Sequence, residues 1–160
     1  MLMLIFYAGD DRYALDSEQV AEVIPIVKLR KVHHAPDYVA GLFNYRGKIV
    51  PVIDLCHLIQ GKPSRSHLST RIIMVHYLSQ ENTRYCLGLM AERVTETLNK
   101  PDADLAEVGI QVEGAPYLGE MMMEGQGMIQ CIRLEHLLSD SQHTYLLAGE
   151  DVRSDGVRSS

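Results

Sequence analysis

The feature that most constrains this 160-residue chain is an internal repetition. Arg12-Tyr13-Ala14-Leu15 is followed by Val20-Ala21-Glu22-Val23-Ile24, and Arg84-Tyr85-Cys86-Leu87 is followed by Val94-Thr95-Glu96-Thr97-Leu98. Ile53-Asp54-Leu55-Cys56-His57-Leu58-Ile59 likewise matches Ile132-Arg133-Leu134-Glu135-His136-Leu137-Leu138. The copies are spaced more widely at the Leu-x-His-Leu pair than at the Arg-Tyr pair, as loops of unequal length would produce. A copy of roughly 70 to 80 residues buries little core alone, so the two must pack on each other.

The repeated segments read as strands. Met1–Tyr7 is apolar and ends in Gly9-Asp10-Asp11, which suits a first buried strand turning into Arg12–Leu15 better than a secretory signal. Asp10 and Asp11 are turn formers here rather than paired catalytic acids. Lys48–Ile53 is almost all β-branched and reads as a strand buried on both faces. Its Pro51 cannot donate to a ladder, which predicts a sheet edge or a bulge. Arg71–Tyr77 and Arg84–Met90 form a second hairpin, and Leu118–Glu124 with Met128–Leu134 a third. Helical signals are short: Ser17–Val23 behind an Asp16 or Ser17 cap, Leu55–Ile59, and Leu134–Leu138. Gly61–Ser66 has a linker's composition, and the polar tail 149–160 reads as flexible.

Composition excludes several function classes. Acidic residues outnumber basic ones, 21 to 15, so the chain lacks the basic footprint of a nucleic-acid binder. It has no apolar run long enough for direct membrane insertion. Cys56, Cys86 and Cys131 are widely spaced and read as small buried thiols in a reducing, cytoplasmic setting. The seven His form no metal-ligand spacing, and no nucleophile, phosphate-loop or zinc-protease motif occurs. The expectation is therefore no enzyme, no catalytic residues, no metal and no cofactor. Met121-Met122-Met123 reads as core filling or as an adaptable binding surface.

The most specific stretch is Gly41-Leu42-Phe43-Asn44-Tyr45-Arg46-Gly47, running on into Val50-Pro51-Val52-Ile53-Asp54-Leu55. Its Gly, Asn-x-Arg-Gly and Val-Pro-x-x-Asp-Leu spacing resembles the signature of the CheW family, the adaptor proteins of bacterial chemotaxis arrays. The resemblance extends from about Leu4 to Leu138. It implies a mainly β fold of two five-stranded SH3-like β-barrels with a few short helices. The domain would run over residues 1–148, with intertwined halves at roughly 8–66 and at 67–140 plus the N-terminal strand. It also implies a non-catalytic adaptor that binds the regulatory domain of a CheA-type histidine kinase and the cytoplasmic tip of a methyl-accepting chemoreceptor. Such an adaptor works in the cytoplasm at receptor arrays, in chemotaxis or a related pathway such as surface sensing, and self-association is compatible with it. A stand-alone β-barrel sensing a small ligand in a cleft between the barrels is the alternative.

The candidate partner-binding residues are Val20, Glu22, Gly41, Asn44, Tyr45, Arg46 and Gly47. Gly41 and Gly47 flank a turn needing positive φ or close approach. Asn44 can hold that turn through local backbone bonds. Arg46 is either a clamp onto a neighbouring carboxylate or carbonyl, or a contact for a partner. Val20 and Glu22 match positions near the family's partner contacts, or are an ordinary apolar residue beside a solvated acid. Tyr45 stands where the family usually has an aliphatic residue.

Overall fold

The computed structural model describes residues 2–65, 69–78, 84–99, 105–106, 115–125 and 127–137. Ten strands dominate: β1 (Leu2–Ala8), β2 (Asp11–Asp16), β3 (Val20–Pro25), β4 (Val39–Tyr45), β5 (Lys48–Asp54), β6 (Arg71–Leu78), β7 (Arg84–Asn99), β8 (Leu105–Ala106), β9 (Leu118–Glu124) and β10 (Gly127–Ile132). Among the described residues the helical elements are α1 (Leu55–Gln60) and two single 3-10 turns, Ser17–Gln19 and Leu134–His136. The tail 149–160 lies outside the described residues.

The strands form two sheets joined by the 16-residue β7. One runs β3-β6-β7-β5-β4. The other runs β7-β1-β2-β10-β9, with the short β8 added at the end. Arg84–Ala91 pairs with β6, and Glu92–Asn99 pairs with β1. At the changeover Arg93 takes a φ of 49°. The sheets are not sealed by continuous ladders among the described residues. The first has its edges drawn together where the segment leaving β3 returns to β4 through the Arg30–Leu42 bridge.

The repetition appears in this topology as an exchange. The hairpin β1–β2 lies in the second sheet, but the chain continues into β3, which pairs with β6 of the first. The hairpin β6–β7 begins in the first sheet, and the far half of β7 continues into the second and pairs with β1. The later hairpins complete the correspondence: β5 lies parallel to β7, and β10 lies parallel to β2. Each is followed by a helical turn. A cut near residue 66 therefore separates the sequence copies but not the sheets. β2 falls outside the sheet that a half spanning 8–66 assigns to it, and β6 falls outside the one assigned by 67–140.

Strand alternation sends side chains into three apolar clusters. Ile72 and Met74 of β6 join Val50, Val52 and Cys86 inside the first sheet. Met3 and Ile5 of β1 join Ala14, Met122, Ile129 and Cys131 inside the second. The opposite faces of the same strands supply Leu4, Phe6, Leu15, Ile53, Ile73, Val75, Leu87 and Leu89 to the seam between the sheets. From Val50 to Asp54 both faces of β5 are thus buried, as its β-branched run predicts, while Lys48 and Ile49 stay exposed. All three cysteines are buried, one in each cluster. Burial raises the Cys56 thiol pKa above its ordinary value.

Pro51 does not mark an edge strand, because β5 lies between β4 and β7. Pairing with β7 starts only at Val52, so the missing donor of Pro51 interrupts nothing on that side. A register shift at Val39/Gly41 on β4 lies nearby. Of the turn or two expected over Ser17–Val23, one forms, at Ser17–Gln19. Asp16 caps one turn by accepting from the Glu18 N–H at 3.0 Å, and Val20, Val23 and Ile24 then follow their β-branched preference into β3. The segment from Gly61 is more than a linker. The Asp54 carboxylate caps α1 at the N–H groups of Cys56 and His57, and also accepts from the Ser64 backbone and hydroxyl at 2.8 and 2.6 Å. Arg65 binds the buried Glu92 carboxylate through its backbone N–H, Nε and Nη2. The segment is thereby tied to β7 where that strand changes sheets. Of the methionine run, Met122 is core, whereas Met123 is exposed and faces the exposed Met128 across the hairpin.

Candidate functional site

The hairpin β4–β5 ends at the pair Tyr45–Lys48, leaving Arg46-Gly47 as a two-residue loop. Their φ values are 52° and 89°, the doubly left-handed signature of a type I′ turn whose twist matches the strands it joins. Gly47 takes this conformation without strain, as expected. The Asn44 carboxamide accepts the Gly47 N–H at 2.8 Å and fixes the loop, the role foreseen for it. Arg46 has a Cβ and is held left-handed at a cost on the order of 1 kcal/mol, where Asn or Gly would sit more easily.

The side chains around the loop converge on one carboxylate. Glu22 on β3 accepts from the Tyr45 hydroxyl and from Arg46 Nη2, the latter at 2.7 Å, both through Oε1. The Arg46 guanidinium lies 5.2 Å from the centre of the Tyr45 ring, within cation–π range. Tyr45 in turn packs at a tilt of 57° on Phe43, 5.9 Å between centroids. Burial raises the Tyr45 phenol pKa, and its bond to Glu22 raises it further, so the hydroxyl stays protonated as a donor at neutral pH. Arg46 nevertheless remains 74% exposed, against 34% for Glu22. It is at once anchored and available: the clamp and the presented cation are the same side chain.

Glu22, Asn44, Tyr45, Arg46 and Gly47 form one cluster. Val20 and Gly41 stand apart from it. The register shift between Val20 and Glu22 leaves Val20 packed against the seam core. Gly41 lies within β4, where a Cβ would come within 2.6 Å of the Arg30 carbonyl oxygen and 2.9 Å of Leu29 Cβ. Its φ of 150° also disfavours a side chain. Gly41→Ala is expected to cost about 1–3 kcal/mol through backbone strain, with the clash added to it. Urea denaturation measures this, and an unchanged midpoint would mean that the segment at Arg30 does not press on β4. Exposed apolar residues that motif reasoning passed over lie near the cluster in the chain: Val23, Ile26, Val27 and Ile49. The outward phase of β3, with Val23 on its exposed side, is the pattern that signals them.

The seam between the sheets is filled by packed apolar side chains, which occupy the place of the cleft that a ligand sensor needs. Among the described residues, no three His, Cys, Asp or Glu side chains gather to hold a metal. Among the same residues, no helix is long and apolar enough to cross a membrane.

Residues 2–142 match the family model described as CheW-like domain. This chain belongs to the CheW-like family. Among its relatives, the chemotaxis protein CheW of Helicobacter pylori is 28% identical over 103 residues, 64% of this chain and 59% of that protein. Protein FrzA of Myxococcus xanthus is 28% identical over 140 residues, covering 86% of this chain and 84% of its own length. The scaffolding protein TtCheW of Thermoanaerobacter tengcongensis shares the fold, with a TM-score of 0.75 at 24% identity, over 88% of this chain and 89% of that one. The mainly β, SH3-like architecture foreseen from the sequence is the family's own. Proteins of this family are non-catalytic adaptors of chemosensory signalling, and this chain is an adaptor of that kind rather than an enzyme.

Proposed function

We propose that the protein couples methyl-accepting chemoreceptors to a CheA-type histidine kinase, by binding the kinase's regulatory domain and the receptor's cytoplasmic tip. Its place is in the cytoplasm, at receptor arrays. The carrying observation is Arg46: a residue held left-handed where a smaller one would be easier, bound to Glu22 and Tyr45, and still presented to solvent. Strain kept in an exposed loop points to a role outside the chain's own stability. Glu22, Asn44, Tyr45 and Gly47 set the geometry of that contact, while Gly41 and Val20 fix the strands beneath it.

Calorimetric titration of the full chain with the kinase regulatory domain and, separately, with a receptor-tip fragment tests the proposal. Micromolar binding, about −8 kcal/mol, is expected for each. Failure of both to bind would overturn it.

A further inference from the structure

We infer that the segment leaving β3, residues 26–31, is a basic docking strap for an acidic segment of a partner protein. Residues 23–36 carry Lys28, Arg30 and Lys31 and no acidic residue, in a chain where acids outnumber bases 21 to 15. All three cations are exposed, and the four ion pairs of the described residues leave them out. Immediately before them, Ile26 and Val27 are exposed apolar residues, 38% and 36% accessible.

The strap is held in place before anything binds. Arg30 and Leu42 exchange two backbone hydrogen bonds, each 2.8 Å. Leu29 packs into the cluster inside the first sheet and Val32 against the seam. These inward residues leave Lys28, Arg30 and Lys31 facing outward on a fixed backbone, so little ordering entropy opposes binding. Gly41 allows the close approach that seats the strap on β4.

Charge and shape favour a short protein segment over other anions. A nucleic acid or an anionic bilayer extends past the strap and meets the field of the whole chain, whose net charge of −6 repels it. A short acidic segment with apolar residues contacts only the strap, pairing carboxylates with the cations and covering Ile26 and Val27. The adaptor proposal supplies the expectation that the partner is a protein, and the inference rests on it to that extent. The acidic chemistry comes from the strap alone.

The test uses the full chain and a fluorescein-labelled synthetic helical peptide of Glu and Leu, followed by fluorescence anisotropy. The combined variant Lys28→Glu, Arg30→Glu, Lys31→Glu should weaken peptide binding at least about tenfold at low salt, with the difference shrinking above about 0.15 M salt. Lys28→Gln and Lys31→Gln, each conservative enough to leave the fold intact, should each weaken it severalfold. Binding indifferent to these charges or to salt would overturn the strap, as would tighter binding of duplex DNA or phosphatidylglycerol vesicles than of the peptide. The kinase regulatory domain separates the two proposals. If neither it nor the receptor-tip fragment binds while the peptide binds the strap, the adaptor proposal falls and the strap stands. If it binds while the peptide ignores the charge variants, the strap falls.

Discussion

Phe6→Ala is expected to destabilise the protein by about 3–5 kcal/mol, the usual cost of emptying a large buried aromatic site. Phe6 is fully buried and stacks on Tyr13 at 6.0 Å between centroids. It lies on the face of β1 that enters the seam, together with Leu15, Ile73 and Leu87 from both sheets. The exchange of hairpins means that β1 is held between β2 and β7, so its neighbours cannot close over the void without moving both sheets. The melting temperature should fall by on the order of 10 °C. Thermal and urea denaturation followed by circular dichroism measure this, with Ile49→Ala on the surface as the control. A loss no larger than that control would mean that the sheets do not share a packed seam.

Arg46→Ala is the second large effect, and it should appear in binding rather than in stability. The ion pair with Glu22 is exposed on the arginine side, where such pairs contribute about 0–1 kcal/mol. An interface anchor, by contrast, costs about 1–4 kcal/mol when truncated, a fivefold to several-hundredfold loss of affinity. Arg46→Gly sharpens the separation. Glycine relieves the left-handed strain at this φ, so that variant should melt no lower than the parent chain while binding as poorly as Arg46→Ala. A marked fall in melting temperature in both variants, with affinity retained, would assign the arginine to its own turn alone.

How far the sequence foretold these features depends on the range over which each is decided. The loop at Arg46 was legible because its determinants are local. Asn44 bonds to Gly47 three residues on, and Gly47 supplies the left-handed backbone. The hairpin at Leu118–Glu124 and the short helix after Asp54 were legible for the same reason. The partner of Arg46 was not, since Glu22 lies on another strand and reaches the loop only once the first sheet curls. The exchange of hairpins was hidden too: β1 and β7, or β3 and β6, meet across long stretches of chain, and alternation shows that a strand is buried without showing beside what. Lys62-Pro63-Ser64-Arg65 looks like a linker because polar residues look alike whether solvated or bonded. Only the fold brings Ser64 to Asp54 and Arg65 to Glu92. At Ser17–Val23 two local signals competed, and the β-branched run prevailed after one capped turn.

The most direct test of the central claim is kinase phosphorylation in membranes that hold the chemoreceptor together with the CheA-type kinase, with this protein added as the parent chain, Arg46→Ala or Arg46→Gly. Receptor control of the kinase should appear with the parent chain and be largely lost with both variants, although all three are folded. Equal control by all three would contradict the claim that the exposed arginine corner is where the adaptor meets its partners.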